Sequence, residues 1–102
     1  MRLEWDETKN ASNRKKHGLD FETAARAFGD SNFVLTRDRI GEDGEQRWHA
    51  VGAVLLRSGR AALLLVVYIY RKVQYGEETI RIVSAREADK RDRRIYFQQA
   101  AD

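Results

Sequence analysis

The polar and apolar positions change period part-way along the chain. Residues 2–5 alternate, with Leu3 and Trp5 on one side, which predicts a short opening strand. Asp6 is suited to cap a helix running to His17, and Gly18 stands where a left-handed residue ends one. Asp20 caps a second helix, in which Phe21, Ala24, Ala25 and Phe28 form an apolar stripe, and Gly29-Asp30-Ser31-Asn32 closes it. From there the pattern turns to strands over residues 33–36, 45–56, 61–70 and 79–85. A polar loop spans 41–44, Arg57-Ser58-Gly59-Arg60 has turn chemistry, and Gly76 marks a further turn.

The tail from about residue 88 reads as a helix, with Ile95, Tyr96 and Phe97 supplying apolar contact. Ser84-x-x-Glu87 and Asp89-x-x-Asp92 are both capping patterns, and the later one is preferred because it leaves Arg86 at the end of a strand. The result is one domain over 1–102 in the order β-α-α-β-β-β-β-α. This predicts an α+β fold, an antiparallel sheet of four to five strands with two N-terminal helices and one C-terminal helix. Helices should cover one face and leave the other partly open. Ile80 and Ile82 oppose Arg81 and Val83, and Glu45, Arg47 and His49 oppose Gln46 and Trp48. Alternation alone leaves open which side meets solvent.

Composition narrows the function. A hydrophobic fraction of 42% excludes a disordered chain, and the absence of cysteine excludes disulfides and thiolate metal sites. The longest apolar run, 61–70, falls far short of the roughly 20 residues of a membrane span. Glu4 and Asp6 interrupt any signal-like start, so a cytoplasmic, membrane-free protein is expected. The net charge of +3 is mild, but arginine dominates the 19 basic residues. Arginine's planar fork suits phosphate, although an arginine-rich composition alone weighs equally for no function.

Three stretches place polar residues where a fold would want apolar ones. In Trp5-Asp6-x-x-Lys9-x-x-x-Asn13-x-x-Lys16-His17-Gly18, a helix aligns Lys9, Asn13 and Lys16 on one stripe. Lys9, Arg14, Lys15, Lys16 and His17 make this helix positive, either a solvated face or a grip for phosphates or an acidic partner. Glu45-Gln46-Arg47 and Arg81-Ile82-Val83-Ser84-Ala85-Arg86 bring arginines into strands. Arg47, Arg71, Arg81 and Arg86 either converge on an anion or pair with acids such as Glu45 and Glu78. The two histidines lack carboxylate partners at ligand spacing, so neither a metal nor another cofactor is expected. His17, at a helix end, is a candidate proton donor or a local cap.

Taken in order, with Phe21 and Ala24 between the first two stretches and Tyr96 after the third, these motifs resemble the BrnT toxins of bacterial type II toxin–antitoxin pairs. The resemblance runs from about Leu3 to Tyr96, with Gln46 and Val83 where Glu and Ile are common. It implies a fold related to the RelE and ParE toxins and a ribonuclease that arrests translation. It also implies a BrnA-like antitoxin with a ribbon-helix-helix domain, the complex repressing its own operon, so that operator DNA is met only through the antitoxin. The family's pattern falls here on Lys9, Asn13, Lys16, His17, Arg47, Arg71, Arg81 and Arg86.

The chemistry agrees. RNA carries its own nucleophile, the 2′-hydroxyl, and cations can stabilise the phosphorane without a metal. Arg47, Arg71 and Arg86 are expected on the reacting phosphate, with Lys16 and His17 positioning or protonating. Lys9, Asn13 and Arg81 are expected to bind RNA, and Glu45 is another candidate for proton transfer. Two other readings stand beside this one. The chain would inhibit DNA gyrase without cutting RNA, as similar folds in the ParE branch are thought to, or would serve mainly as its antitoxin's partner.

Overall fold

The computed structural model describes residues 1–101. Its elements are β1 (Arg2–Trp5), α1 (Glu7–His17), α2 (Phe21–Ala25), a 3-10 turn (Arg26–Gly29), β2 (Val34–Ile40), β3 (Gln46–Leu55), β4 (Ala61–Gln74), β5 (Glu77–Glu87) and α3 (Lys90–Ala101). The five strands form one sheet in the order β1-β5-β4-β3-β2. Four of them make the expected antiparallel meander, but the sheet is mixed, because β1 runs parallel to β5. Many residues separate β1 from β5, so no tight turn fixes their direction. Running parallel, β1 delivers the chain beside the stretch of β5 that it does not itself pair.

The caps follow their side-chain chemistry. The Asp6 carboxylate accepts from the Lys9 N–H, and Gly18, at φ 72°, closes α1 by donating to the Arg14 carbonyl. Asp20 accepts from Thr23 N–H, which with a smaller contribution from burial in the opposite sense leaves its carboxyl below the usual range. Asp89 and Asp92 cap each other's backbone N–H groups at the start of α3, the later of the two expected starts.

On one face of the sheet, α1, α2 and the 3-10 turn cover a core that includes Phe21, Ala24, Leu64, Val66, Tyr68, Ile80 and Ile82. The other face carries a smaller core of Val34, Val51, Leu63, Leu65 and Tyr96 beneath α3. The remainder of that second face is open. Tyr96 fastens α3 there by donating from its hydroxyl to Asp30 Oδ2 at 2.6 Å.

A bulge in β5 decides what the open face presents. Val67 pairs with Ser84 but Tyr68 with Ile82, so Val83 is an extra residue. Ile82 and Ala85 both reach the helix-covered core, whereas strict alternation would separate them. Arg86 is thereby moved to the open face, where it meets α3.

A basic groove between the first helix and a hairpin

α1 has almost no apolar stripe, and the one side chain it buries is Asn13, 7% exposed. β1 stops opposite Ile82, which leaves the outer edge of β5 unpaired beyond it. Asn13 fills that place. Its Oδ1 accepts the Ala85 N–H at 3.1 Å, and its Nδ2 donates to the carbonyls of Ala85 at 2.9 Å and Leu19 at 3.0 Å. The expected RNA ligand Asn13 therefore has its amide engaged by backbone, and its work is to seat α1 on the sheet edge. Asn10 assists by accepting the Phe21 N–H at 2.8 Å.

Seated this way, α1 forms one wall of a groove. The part beside the helix, about 250 Å³, is bordered by Lys9, Ser12, Lys16, His17, Val83 and Ser84. It continues into a larger part of about 610 Å³, which shares Lys9, Val83 and Ser84 and has Val67 in its floor. Its far wall is the β2–β3 hairpin, with Asp38, Arg39, Glu42, Asp43 and Arg47. A separate depression of about 370 Å³ lies at the other end of the sheet, around Arg2, Lys72 and Tyr75.

The floor is built in cross-strand rows. Thr36 pairs with His49, His49 with Val67, and Val67 with Ser84. Towards α3, Val34, Val51, Leu65 and Arg86 pair in the same manner. On the other side Ile69 pairs with Arg81, which faces Glu4 on β1. Arg47, two residues before His49, shares the open face by alternation. The arginine side of both strands is thus the solvent side.

The structure divides the expected site residues into two groups. Lys9, Asn13, Lys16, His17 and Arg47 border the single groove, Asn13 with its amide already bonded to backbone. Arg71, Arg81 and Arg86 are not among its lining residues, and each is held by acids. Arg71 lies 3.2 Å from Glu45, and Arg81 lies 3.3 Å from Glu4. Arg86 donates to Asp92 at 2.9 Å, sits 3.7 Å from Asp89, and so ties β5 to the start of α3. Hydrogen bonding from Asp92 N–H, with Arg86 as a lesser contributor, keeps the Asp89 carboxyl below its usual range. Arg47 is the loosest of the four, 3.5 Å from Asp43. Its guanidinium lies against Gly41, where an added Cβ would come within 2.9 Å of Nε. Lys9 and Lys16 form no ion pair among the described residues.

One contact lay outside the sequence reading. His49 Nε2 lies 3.0 Å from Asp38 Oδ2 on the open face. The approach depends on a bulge in β2, where Asp38 and Arg39 occupy the span between Arg37, paired with Trp48, and Ile40, paired with Gln46. Gln46 holds the bulge by donating its amide N–H to the Asp38 carbonyl and, at 2.9 Å, to that of Arg47. Nothing in the order of residues signals that bulge, so His49 read only as one of two scattered histidines.

A family model described as the ribonuclease toxin BrnT of type II toxin–antitoxin systems matches residues 5–92. The chain belongs to the BrnT family. Toxin identity, ribonuclease chemistry and an antitoxin partner come with that membership. Among curated proteins none matches the chain. The BrnT match includes Lys9, Lys16, His17, Arg47 and the caps around α1, and it ends before Tyr96. No helix of the described residues is long and apolar enough to cross a membrane.

Proposed function

We propose that the chain is a metal-independent endoribonuclease that cuts RNA in the groove between α1 and the β2–β3 hairpin. The observation that carries this reading is the set of available cations on the groove's walls, with Lys9 and Lys16 unpaired on one and Arg47 weakly paired on the other. An exposed ion pair contributes roughly 0–1 kcal/mol, so a phosphate can replace Asp43 at Arg47 with little cost. Lys9, common to both parts of the groove, is placed to meet the reacting phosphate, and Lys16 and His17 to hold the next stretch of strand. Glu42 and Asp43 are acceptors suited to the amino groups of unstacked bases.

The cations stabilise the phosphorane charge as the 2′-oxygen attacks in line. Arg71, Arg81 and Arg86 act at one remove, as cross-strand and helix-to-strand ties that keep the open face rigid. Kinship with the RelE and ParE toxins and arrest of translation complete the reading. So does a cytoplasmic setting, with a BrnA-like ribbon-helix-helix antitoxin that neutralises the chain and represses the operon with it.

The test is incubation of purified protein with total RNA in excess EDTA, with the new 3′ ends identified. Fragments ending in 2′,3′-cyclic phosphate support the proposal. Intact RNA together with altered plasmid supercoiling by gyrase would replace it with the ParE-type reading.

A further inference from the structure

We infer that His49 is the general base of the cleavage reaction and that Asp38 is its positioning residue; this rests on the ribonuclease reading above. His49 stands in the floor row between Thr36 and Val67, and the row ends at Ser84. Val67, Ser84 and Asp38 all line the groove, and His49, which pairs with Val67 and contacts Asp38, stands directly beside that lining. Its side chain is 24% exposed, accessible to substrate yet confined by the sheet. With Nε2 directed at Asp38 Oδ2, 3.0 Å away, the neutral imidazole carries its hydrogen on Nε2 and offers the Nδ1 lone pair. A carboxylate fixing the tautomer in this way is the arrangement that orients the histidine base of a catalytic triad.

The groups around it suit that task. Thr36 and Asp38 face His49 from β2, Val67 from β4, and Arg47 from its own strand. Lys9 borders the same groove from α1. Nδ1 takes the proton of the 2′-hydroxyl while the 2′-oxygen forms its bond to phosphorus. The bond from phosphorus to the 5′-oxygen breaks, and that oxygen leaves with a proton from the Lys9 ammonium. The products are a 2′,3′-cyclic phosphate and a 5′-hydroxyl, and solvent restores both side chains. His17, at the end of α1, is left to bind the strand.

The experiment compares His49→Ala, His49→Gln and wild type on a short RNA in EDTA, with RNA affinity measured in parallel. Glutamine retains an N–H able to reach Asp38 but has no basic nitrogen. Both variants should bind RNA with near wild-type affinity and cleave on the order of 10²-fold more slowly. Added imidazole should restore much of the His49→Ala rate. The deficit should persist on a uridine 3′-(p-nitrophenyl phosphate) substrate, whose leaving group needs no acid. Full activity in His49→Gln would show the contact to be structural and overturn the proposal, as would loss of affinity matching loss of rate. Cleavage by wild type with an unaffected His49→Ala rate would overturn this inference alone. Absence of cleavage by wild type would overturn the ribonuclease reading and this inference with it.

Discussion

Asn13 completes the edge of β5 at Ala85, exchanging hydrogen bonds with both the N–H and the carbonyl of that residue as a neighbouring strand would. One amide therefore closes a sheet edge and sets the position of the groove wall. Asn13→Ala would strand buried backbone groups, at about 1–3 kcal/mol for each group left without a partner. Asn13→Asp should be no better, since a carboxylate cannot donate to the Leu19 and Ala85 carbonyls. Urea unfolding should show a fall in midpoint for both variants, and an unchanged midpoint would refute the role given to Asn13.

Gly52 lies where the 3-10 turn presses on β3. A Cβ there would fall 2.3 Å from the Ala27 carbonyl oxygen, and that oxygen belongs to backbone that cannot rotate away. Gly52→Ala should destabilise the fold by about 3 kcal/mol, at the upper end of ordinary overpacking. Thermal unfolding checks this, and Gly29→Ala, where a Cβ meets nothing within 4 Å, is the milder comparison.

The Tyr96–Asp30 bond links α3 to the loop before β2 and makes stability depend on pH at both extremes. Burial pushes the Asp30 carboxyl up, but bonds from Tyr96 and from the Ala53 and Asn32 N–H groups together hold it below 3.8. That stabilisation is complete above the ordinary aspartate range and is lost as pH falls through the lower folded value. The hydrogen bond to Asp30, then burial, push the Tyr96 phenol up to about 12 from 10.0. Its contribution is complete below 10.0 and is lost as pH rises towards 12. Tyr96→Phe should cost about 1.5 kcal/mol at neutral pH, shrink the acid loss and abolish this alkaline one. Unfolding midpoints across pH read all three effects.

The unpaired lysines should govern affinity through released counterions. Lys9→Ala and Lys16→Ala should each weaken RNA binding and lower the slope of log K against log salt by about 0.7. Arg81→Ala should change that slope less, because Glu4 already compensates its charge. Fluorescence anisotropy with a labelled RNA over a salt series makes the comparison.

Much of the local structure was legible in the sequence because it depends on neighbours in the chain. Asp6, Gly18, Asp20 and the Asp89–Asp92 pair announce their caps within four residues of the groups they satisfy. The meander from β2 to β5 follows from alternation and turn residues. The direction of β1 was not legible, since its partner lies more than 70 residues away. Nor were the two bulges, which depend on pairing between strands and which decide the site. One brings Arg86 onto the open face, and the other brings Asp38 against His49. The lysine stripe on α1 was visible, but Asn13 within it carries backbone, a distinction that only the free edge of β5 explains. The acids opposite Arg81 and Arg86 come from β1 and α3, so convergence and neutralisation looked alike in the sequence.

The central claim is that RNA is cut in the groove between α1 and the β2–β3 hairpin. It is tested most directly by cleavage rates of Lys9→Ala, Lys16→Ala and Arg47→Ala beside Lys72→Ala, which alters the depression at the other end of the sheet. The account predicts a loss of roughly tenfold or more for each groove variant, as expected for removing a charge-stabilising donor, and a wild-type rate for Lys72→Ala. Groove variants that cleave like wild type, or a loss confined to Lys72→Ala, would contradict it.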